Sequence, residues 1–127
     1  MRIGIDFGAT RIVVAAVDRG NYPVLTFEGP DGAARDWFPP LVAARGHERR
    51  YGFDAWAVAG AEGWTVVRSV KHLLGASGLD TRVDVGGAVP VPMMTVLREL
   101  AAAVRKALIE KSSLQARPDE PIEAMLG

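Results

Sequence analysis

A carboxylate followed by a turn of small residues is the part of this sequence whose residue types could do chemistry. The run is Ile5-Asp6-Phe7-Gly8-Ala9-Thr10-Arg11, in which Asp6 stands near the end of one apolar segment and Gly8-Ala9-Thr10 separates it from the next. A turn of small residues brings several backbone N–H groups close to a ligand, which is what phosphate binding needs. An ordinary hairpin with a glycine turn has the same residues. The turn therefore predicts either a phosphate site or a simple chain reversal.

Lys71 lies beside a stripe of apolar residues in the segment from Trp64 to Leu74. The spacing of that stripe fits one face of a helix better than it fits strict alternation, and Gly75 is a natural helix end. A lysine next to such a stripe usually extends its ammonium group to solvent. On the residues alone, we expect Lys71 to do the same.

The small-residue turn is expected to join two strands of an antiparallel sheet. Ile3, Ile5 and Phe7 alternate with the period of a half-buried strand, and residues 12–17 are apolar on both faces. Residues 22–28 predict a third strand, in which Pro23 indicates an edge position or an irregular start. The three strands together predict an antiparallel meander.

The remaining segments predict several short elements followed by a long helix. The short elements are a strand over 38–45, a short helix capped by Asp54, the helix over 64–74 and a hairpin over 82–89. Residues 92–112 have apolar residues on one helix face and charged residues on the other, with Pro92 in the first turn. Residues 122–126 resemble the start of a buried strand. A chain that stops directly after such a strand suggests a fragment.

Composition narrows the classes of function. The 127 residues suffice for one domain with a core, and 49% hydrophobic with 24% charged residues is typical of globular proteins. Fifteen basic and fifteen acidic residues give zero net charge, which gives no support for binding nucleic acid or an anionic membrane. Without cysteine there is no thiolate metal site, and His47 and His72 are more typical of surface or core positions than of metal ligands. Because no apolar run approaches the roughly twenty residues of a membrane span and no signal-like segment opens the chain, we expect a cytoplasmic protein.

Three segments, in this order, resemble the N-terminal part of the nucleotide-binding domain of the seventy-kilodalton heat-shock chaperones. They are Ile5-Asp6-Phe7-Gly8-Ala9-Thr10, then Ser69-Val70-Lys71-His72-Leu73-Leu74-Gly75, then the long helix leading to Glu120-Pro121-Ile122-Glu123-Ala124-Met125. Phe38-Pro39-Pro40-Leu41-Val42-Ala43 and Tyr51-Gly52-Phe53-Asp54-Ala55 also resemble family segments, so the resemblance covers essentially the whole chain. The first motif is shared across the actin, hexokinase and sugar-kinase superfamily. The lysine segment favours the chaperone branch.

The resemblance implies an α/β fold of the actin-like ATPase, or ribonuclease H-like, kind. Residues 1–29 and 113–127 would form the main sheet, with residues 122–126 beside the first strand. Residues 30–112 would form a satellite subdomain and the long helix. The family's second phosphate loop, adenosine loop and peptide-binding domain lie downstream of every position in this sequence. The resemblance therefore implies an incomplete lobe that is inactive alone.

The resemblance also implies a role for each candidate site residue. Asp6 would hold Mg²⁺, usually through water, and the turn Gly8-Ala9-Thr10-Arg11 would wrap the β- and γ-phosphates of ATP. Lys71 would reach the γ-phosphate and the attacking water, where a fixed ammonium stabilises developing charge. The implied cofactor is ATP or ADP with Mg²⁺. The implied partners are a client polypeptide or co-chaperone bound through other regions, and we expect self-association at an exposed sheet edge.

Two residues depart from the family's Asp-x-Gly-Thr-Thr-Asn pattern. Ala9 lacks a hydroxyl that could bind phosphate, and Arg11 introduces a long cation that either binds phosphate or fills the pocket. These residues favour one alternative, a non-catalytic interaction or scaffold domain derived from the ATPase. A small-molecule kinase of the same superfamily is a second alternative, which the lysine segment disfavours.

Overall fold

A computed structural model describes residues 1–17, 19–114 and 119–127, which form a mixed α/β protein with several small sheets and three helices. None of the helices in these ranges is both long enough and apolar enough to cross a membrane. The elements, in chain order, are β1 (Arg2–Phe7), β2 (Ile12–Ala16), β3 (Phe27–Glu28), β4 (Ala34–Arg35), β5 (Val42–Arg45), β6 (Glu48–Tyr51), α1 (Gly52–Ala57), β7 (Thr65–Val67), α2 (Val70–Gly75), β8 (Arg82–Val83), β9 (Val91–Pro92), α3 (Met93–Glu110) and β10 (Glu123–Leu126).

The predicted first hairpin is confirmed. β1 and β2 pair antiparallel from Ile3 opposite Ala16 to Phe7 opposite Ile12. β10 pairs parallel with β1 on its other side, so the sheet order is β10-β1-β2. The strand predicted over 122–126 thus lies beside the first strand, as expected.

The predicted third strand over 22–28 is wrong for most of its length. Only β3 forms there, and it pairs with β4 in a separate two-stranded sheet. Ala16 donates a hydrogen bond to the carbonyl of Pro23, but Pro23 has no N–H group to donate in return. Among the described residues, the contact with β2 is an isolated bridge between Ala15 and Val24, in which the Leu25 amide also donates to the Val14 carbonyl at 2.8 Å.

The predicted helix over 64–74 is wrong in its first half. The β-branched run from Thr65 to Val67 forms β7, which pairs antiparallel with β5 in a sheet of order β6-β5-β7. The helix α2 begins only at Val70, after Ser69, whose hydroxyl accepts a hydrogen bond from the His72 amide at 3.2 Å. The valine spacing fits both a helix and a strand, and residues 65–67 form a strand because they pair with β5.

The other predicted elements are confirmed with shifted boundaries. β5 follows the two prolines as expected, and α3 spans eighteen residues with Pro92 as its N-cap rather than in its first turn. The short helix α1 begins at Gly52, so Asp54 lies in its first turn and Tyr51 is the N-cap. The Gly86-Gly87 hairpin is wider than predicted, because β8 pairs with β9.

One hydrophobic cluster joins the main sheet, the β6-β5-β7 sheet and the buried face of α3. Arg49 of β6 and Glu99 of α3 form a half-buried ion pair, with Nη2 to Oε1 at 2.6 Å and Nε to Oε1 at 2.9 Å. This carboxylate raises the pKa of the Arg49 guanidinium. The pair therefore fixes α3 against β6.

The helix α3 leaves part of the main sheet uncovered. A groove of about 430 Å³ separates them, lined almost wholly by apolar side chains such as Ile5, Phe7 and Leu97. Leu126 of β10 also lines this groove and is 76% exposed. β10 is an outer strand of the main sheet, and all four of its residues are exposed.

Candidate phosphate-binding site

Strands β1 and β2 hold the turn Gly8–Arg11 at one end of the main sheet. The Gly8 amide donates a hydrogen bond to the Arg11 carbonyl at 2.9 Å, which closes the turn. A Cβ atom on residue 8 would lie 2.5 Å from that carbonyl oxygen, a distance that real Cβ atoms essentially never reach. Glycine is therefore required at this position by close approach.

The next three residues of the turn present free backbone donors. Among the hydrogen bonds of the described residues, none is donated by the amides of Ala9, Thr10 or Arg11. Thr10 and Arg11 are exposed and Ala9 is half-buried, so water or a ligand supplies the acceptors. Successive N–H groups in a tight turn make a concavity suited to an anion such as phosphate.

Asp6 lies two residues before the turn, opposite Val13, with its side chain exposed. The described residues contain no group of three or more His, Asp or Glu side chains that could hold a metal ion. A single exposed carboxylate suits Mg²⁺, which keeps several waters and is usually bound by one or two carboxylates plus substrate phosphates. The residues present therefore fit a Mg²⁺ ion that arrives with a nucleotide, and they do not form an all-protein metal cage.

Lys71 is connected to the turn through the segment from Phe38 to Pro40. Ile12, the first residue after the turn, exchanges two backbone hydrogen bonds with Phe38, at 2.9 and 2.7 Å. At the other end of the segment, the Val70 amide donates to the Pro40 carbonyl at 3.1 Å. One segment therefore holds both the start of β2 and the start of α2, where Lys71 lies exposed.

The structure does not bring Lys71 into contact with the other predicted site residues. Within the described ranges, no ion pair or side-chain hydrogen bond involves Lys71 or Asp6. Both charged residues are exposed, Asp6 on β1 and Lys71 on α2. A ligand that spans them would have to supply the contacts.

The Arg11 side chain lies over an aromatic ring that the sequence analysis did not single out. Its guanidinium carbon is 5.3 Å from the ring centroid of Trp37, a cation–π distance. Trp37 in turn stacks on Trp56, with centroids 6.0 Å apart and planes inclined by 25°. The only sequence signal was the position of Trp37 beside Phe38, whose pairing with Ile12 was not predicted.

Trp37 belongs to an aromatic cluster made of Phe27, Trp37, Phe38, Phe53 and Trp56. Neighbouring ring centroids in this cluster lie 5.5 to 6.4 Å apart. Such ring pairs stabilise a fold beyond the area that they bury. The cluster therefore forms a rigid support next to the joint between Ile12 and Phe38.

Charged and glycine residues fix the edges of the aromatic cluster. Arg35 lies 4.7 Å over Trp56 and forms two hydrogen bonds with Asp31, at 2.8 and 2.7 Å. The hydrogen bonds from Arg35 hold the pKa of Asp31 well below its usual range. Gly52 has φ +62° and packs against Phe38 so closely that a Cβ atom there would overlap the ring.

No protein-family model matches this chain, and no curated protein matches it either. The case for a phosphate site therefore depends on the turn itself. The turn has a required glycine, three successive open amides and a neighbouring carboxylate. The 38–40 segment links it to Lys71.

Proposed function

We propose that this chain is the N-terminal part of an actin-like ATPase domain of the seventy-kilodalton heat-shock chaperone kind, and that the phosphates of Mg²⁺-ATP bind at the turn Gly8–Arg11. The observation that carries the proposal is the run of three free amides at Ala9, Thr10 and Arg11, directly after β1 and close to Asp6. Backbone donors at such a turn suit phosphate oxygens because they are fixed before the ligand arrives.

Each residue of the proposed site has a distinct chemical task. The amides of the turn donate hydrogen bonds to phosphate oxygens, and Asp6 accepts hydrogen bonds from water on the metal ion. When bound, Mg²⁺ neutralises charge on the phosphates. The Lys71 ammonium stabilises the negative charge that develops during transfer of the γ-phosphoryl group to water. The segment 38–40 links the start of β2 to the start of α2 through its hydrogen bonds with Ile12 and Val70.

The main sheet supports the proposal at the level of topology. An antiparallel hairpin is followed, after α3, by a parallel strand beside β1, as the resemblance implies. The apolar groove under α3 and the outer edge of β10 are the surfaces on which further elements of such a lobe would pack. A chain with these surfaces open would bind nucleotide weakly, hydrolyse little and self-associate. Client or co-chaperone binding would reside in the rest of the domain.

A scaffold function is the second candidate, favoured by two observations. Arg11 contacts Trp37, and Ala9 offers no hydroxyl to a ligand. In a scaffold of this kind, the turn would be a relic of the ATPase site. Replacing Ala9 with the family's threonine (Ala9→Thr), with Arg11 left unchanged, separates the two candidates. A gain in affinity for ATP supports the ATPase, and no gain supports the scaffold.

The direct test is an amide-resolved NMR titration of the 127-residue chain with ATP in the presence of Mg²⁺. We expect shifts at residues 8–11 and at the start of α2, with millimolar affinity. Asp6→Asn should reduce the Mg²⁺ dependence, and Lys71→Ala should weaken binding several-fold. The matched control is Lys106→Ala, because Lys106 is an exposed lysine on α3. If millimolar nucleotide leaves residues 8–11 unshifted, the proposed site is wrong. If Lys106→Ala weakens binding as much as Lys71→Ala, the role of Lys71 is wrong.

A further inference from the structure

We propose that the Arg11 side chain, which lies over Trp37, moves to bind the polyphosphate chain of a bound nucleotide. This movement changes the environment of the Trp37 ring, so the ring reports whether the site is occupied. The inference rests on the proposed function, and it adds a ligand residue and a ligand class to the same site. The ligand is a linear polyphosphate, free or as part of a nucleoside triphosphate. A linear polyphosphate can place one phosphate at the open amides and a neighbouring phosphate at the guanidinium.

The position of Arg11 places its side chain on the same four-residue unit as the open amides. Its carbonyl closes the turn by accepting from the Gly8 amide at 2.9 Å, and its own amide is one of the three free donors. A phosphate bound at these amides therefore lies within reach of the guanidinium after rotation about side-chain bonds alone. No backbone change is needed.

Arg11 differs from the other arginines that lie over tryptophan rings. Four such contacts occur in the described part of the chain, and the three besides Arg11 are anchored by carboxylates. Arg35 is held by Asp31, with Nη2 to Oδ2 at 2.7 Å. Arg45 and Arg50 both lie over Trp64, at 4.7 and 4.9 Å from its ring centroid, and both are held by Glu48, at 3.4 and 3.1 Å. Arg11 has no carboxylate partner among the described residues, although it is the arginine at the turn.

The balance of interactions favours transfer of Arg11 to a ligand. Its contact with Trp37 is made at 5.3 Å by an exposed side chain, which is the weaker kind of cation–π interaction. Hydrogen bonds from a guanidinium to phosphate oxygens are charge-assisted and frequently bidentate, so they are stronger than the contact they replace. Trp37 keeps its other partners, Trp56 and Phe53, at 6.0 and 6.3 Å. The Trp37 ring therefore stays in place, and the only change is that the Arg11 guanidinium no longer covers one of its faces.

Transfer of Arg11 would have a spectroscopic consequence. Loss of the guanidinium exposes one face of a half-buried indole to water, which should move its fluorescence emission to longer wavelength. Trp64, which contacts Arg45 and Arg50, should not respond to the ligand because Glu48 holds both arginines. The emission change therefore reports on Arg11 and not on general binding.

The test is a titration of the full chain with sodium tripolyphosphate, followed by tryptophan emission and by amide shifts at residues 8–10. In the unmodified chain both readouts should saturate together. Arg11→Asn should lower the affinity about tenfold or more, because a charge-assisted contact is lost. It should also leave the emission without a ligand response, and Arg11→Lys should give an intermediate affinity. Trp37→Phe should abolish the emission change and retain the amide shifts.

The matched control is Arg45→Asn, which removes an arginine from Trp64 and should leave tripolyphosphate affinity unchanged. Two results overturn the inference alone: equal affinity of Arg11→Asn and the unmodified chain, or amide shifts without any change at Trp37. In both cases the turn still binds phosphate, and the proposed function stands. A parallel titration with Mg²⁺-ATP that shifts none of the residues 8–10 would instead overturn the proposed function and the inference with it.

Discussion

The turn Gly8–Arg11 and the aromatic cluster lie on either side of one joint, the pair of hydrogen bonds between Ile12 and Phe38, yet they are built in opposite ways. In the turn, three amides have no protein acceptor among the described residues, and the arginine has no carboxylate partner. In the cluster, five rings contact one another and Arg35 is fixed by Asp31. The aromatic cluster is thus the rigid region next to the candidate site, and the turn is the region with free hydrogen-bond donors at the surface.

Because of this difference, we expect substitutions in the cluster to lower stability and substitutions in the turn to lower ligand affinity. Buried contacts contribute to the free energy of unfolding, so changes in the cluster should lower stability first. Exposed donors already bond with water, so changes in the turn should alter ligand binding more than stability. A binding group held by a rigid support keeps its geometry before the ligand arrives, which is the arrangement that a functional site requires.

The largest effect is expected for Gly52→Ala in the cluster. The added Cβ would overlap the buried Phe38 ring, and the residue would also have to keep φ +62°. We expect a loss of about 3 kcal/mol or more in the free energy of unfolding, measured with denaturant. Gly60→Ala is the matched control, since Gly60 has φ +82° with no atom within 4 Å of the added Cβ, and it should cost about 1 kcal/mol. Equal losses in the two variants would show that the overlap with Phe38 does not cause the loss of stability at Gly52.

A smaller effect on stability and a larger one on binding are expected for Gly8→Ala in the turn. The added Cβ would lie 2.5 Å from the Arg11 carbonyl oxygen, so the turn must open and its amides must diverge. Tripolyphosphate affinity should fall about tenfold or more, while the unfolding free energy falls by about 1–2 kcal/mol.

Gly4→Ala is the control for the turn, because a Cβ on Gly4 in the same strand pair meets no atom within 4 Å. It should leave affinity unchanged and stability within about 0.5 kcal/mol. If Gly8→Ala retains full affinity, the turn is not the anion site and the contrast with the cluster loses its functional meaning.

The smallest effect is expected for Asp31→Asn, which removes the anchor of Arg35 and makes it resemble Arg11. Hydrogen bonds from Arg35 lower the pKa of Asp31 in the folded chain below its value in the unfolded chain. The ion pair therefore stabilises the fold above about pH 4, the ordinary range of an aspartate, and this contribution is lost as the pH falls toward the depressed folded pKa.

Thermal unfolding as a function of pH tests this expectation. The unmodified chain should have a slightly higher Tm than Asp31→Asn at neutral pH, and the gap should close in acid. Asp36→Asn, in which the exposed carboxylate has no ion-pair partner among the described residues, should show no such gap. A gap that widens as the pH falls would contradict the assigned sign.

The elements that sequence reasoning predicted correctly are those with a single strong period. The alternation of Ile3, Ile5 and Phe7 and the apolar face of α3 each fit one structure only, and both formed. Residues 22–28 failed because Pro23 lacks the N–H group that a ladder needs. Residues 64–74 failed because valine spacing suits both a strand and a helix, and β5 provided the pairing partner.

In the candidate site, too, some features could be predicted from the sequence and one could not. The open turn and the exposed carboxylate of Asp6 could be inferred from residue types, because both features depend only on residues that are neighbours in the sequence. The contact between Arg11 and Trp37 could not be inferred, because it depends on the bridge from Ile12 to Phe38, which brings distant segments together. A single sequence does not reveal such pairings.

The parallel pairing of β1 with β10 has a consequence for the synthesis of this protein. The Met1 ammonium donates to the Pro121 carbonyl at 3.2 Å, although the two residues are 120 positions apart. At translation rates of about 5–20 residues per second, β1 leaves the ribosome on the order of ten seconds before its parallel neighbour exists. During that interval the hairpin of β1 and β2 carries an unprotected apolar edge in the crowded environment of a translating ribosome. Of the three strands of this sheet, the central one is thus made before its two neighbours and is enclosed only when β10 pairs with it.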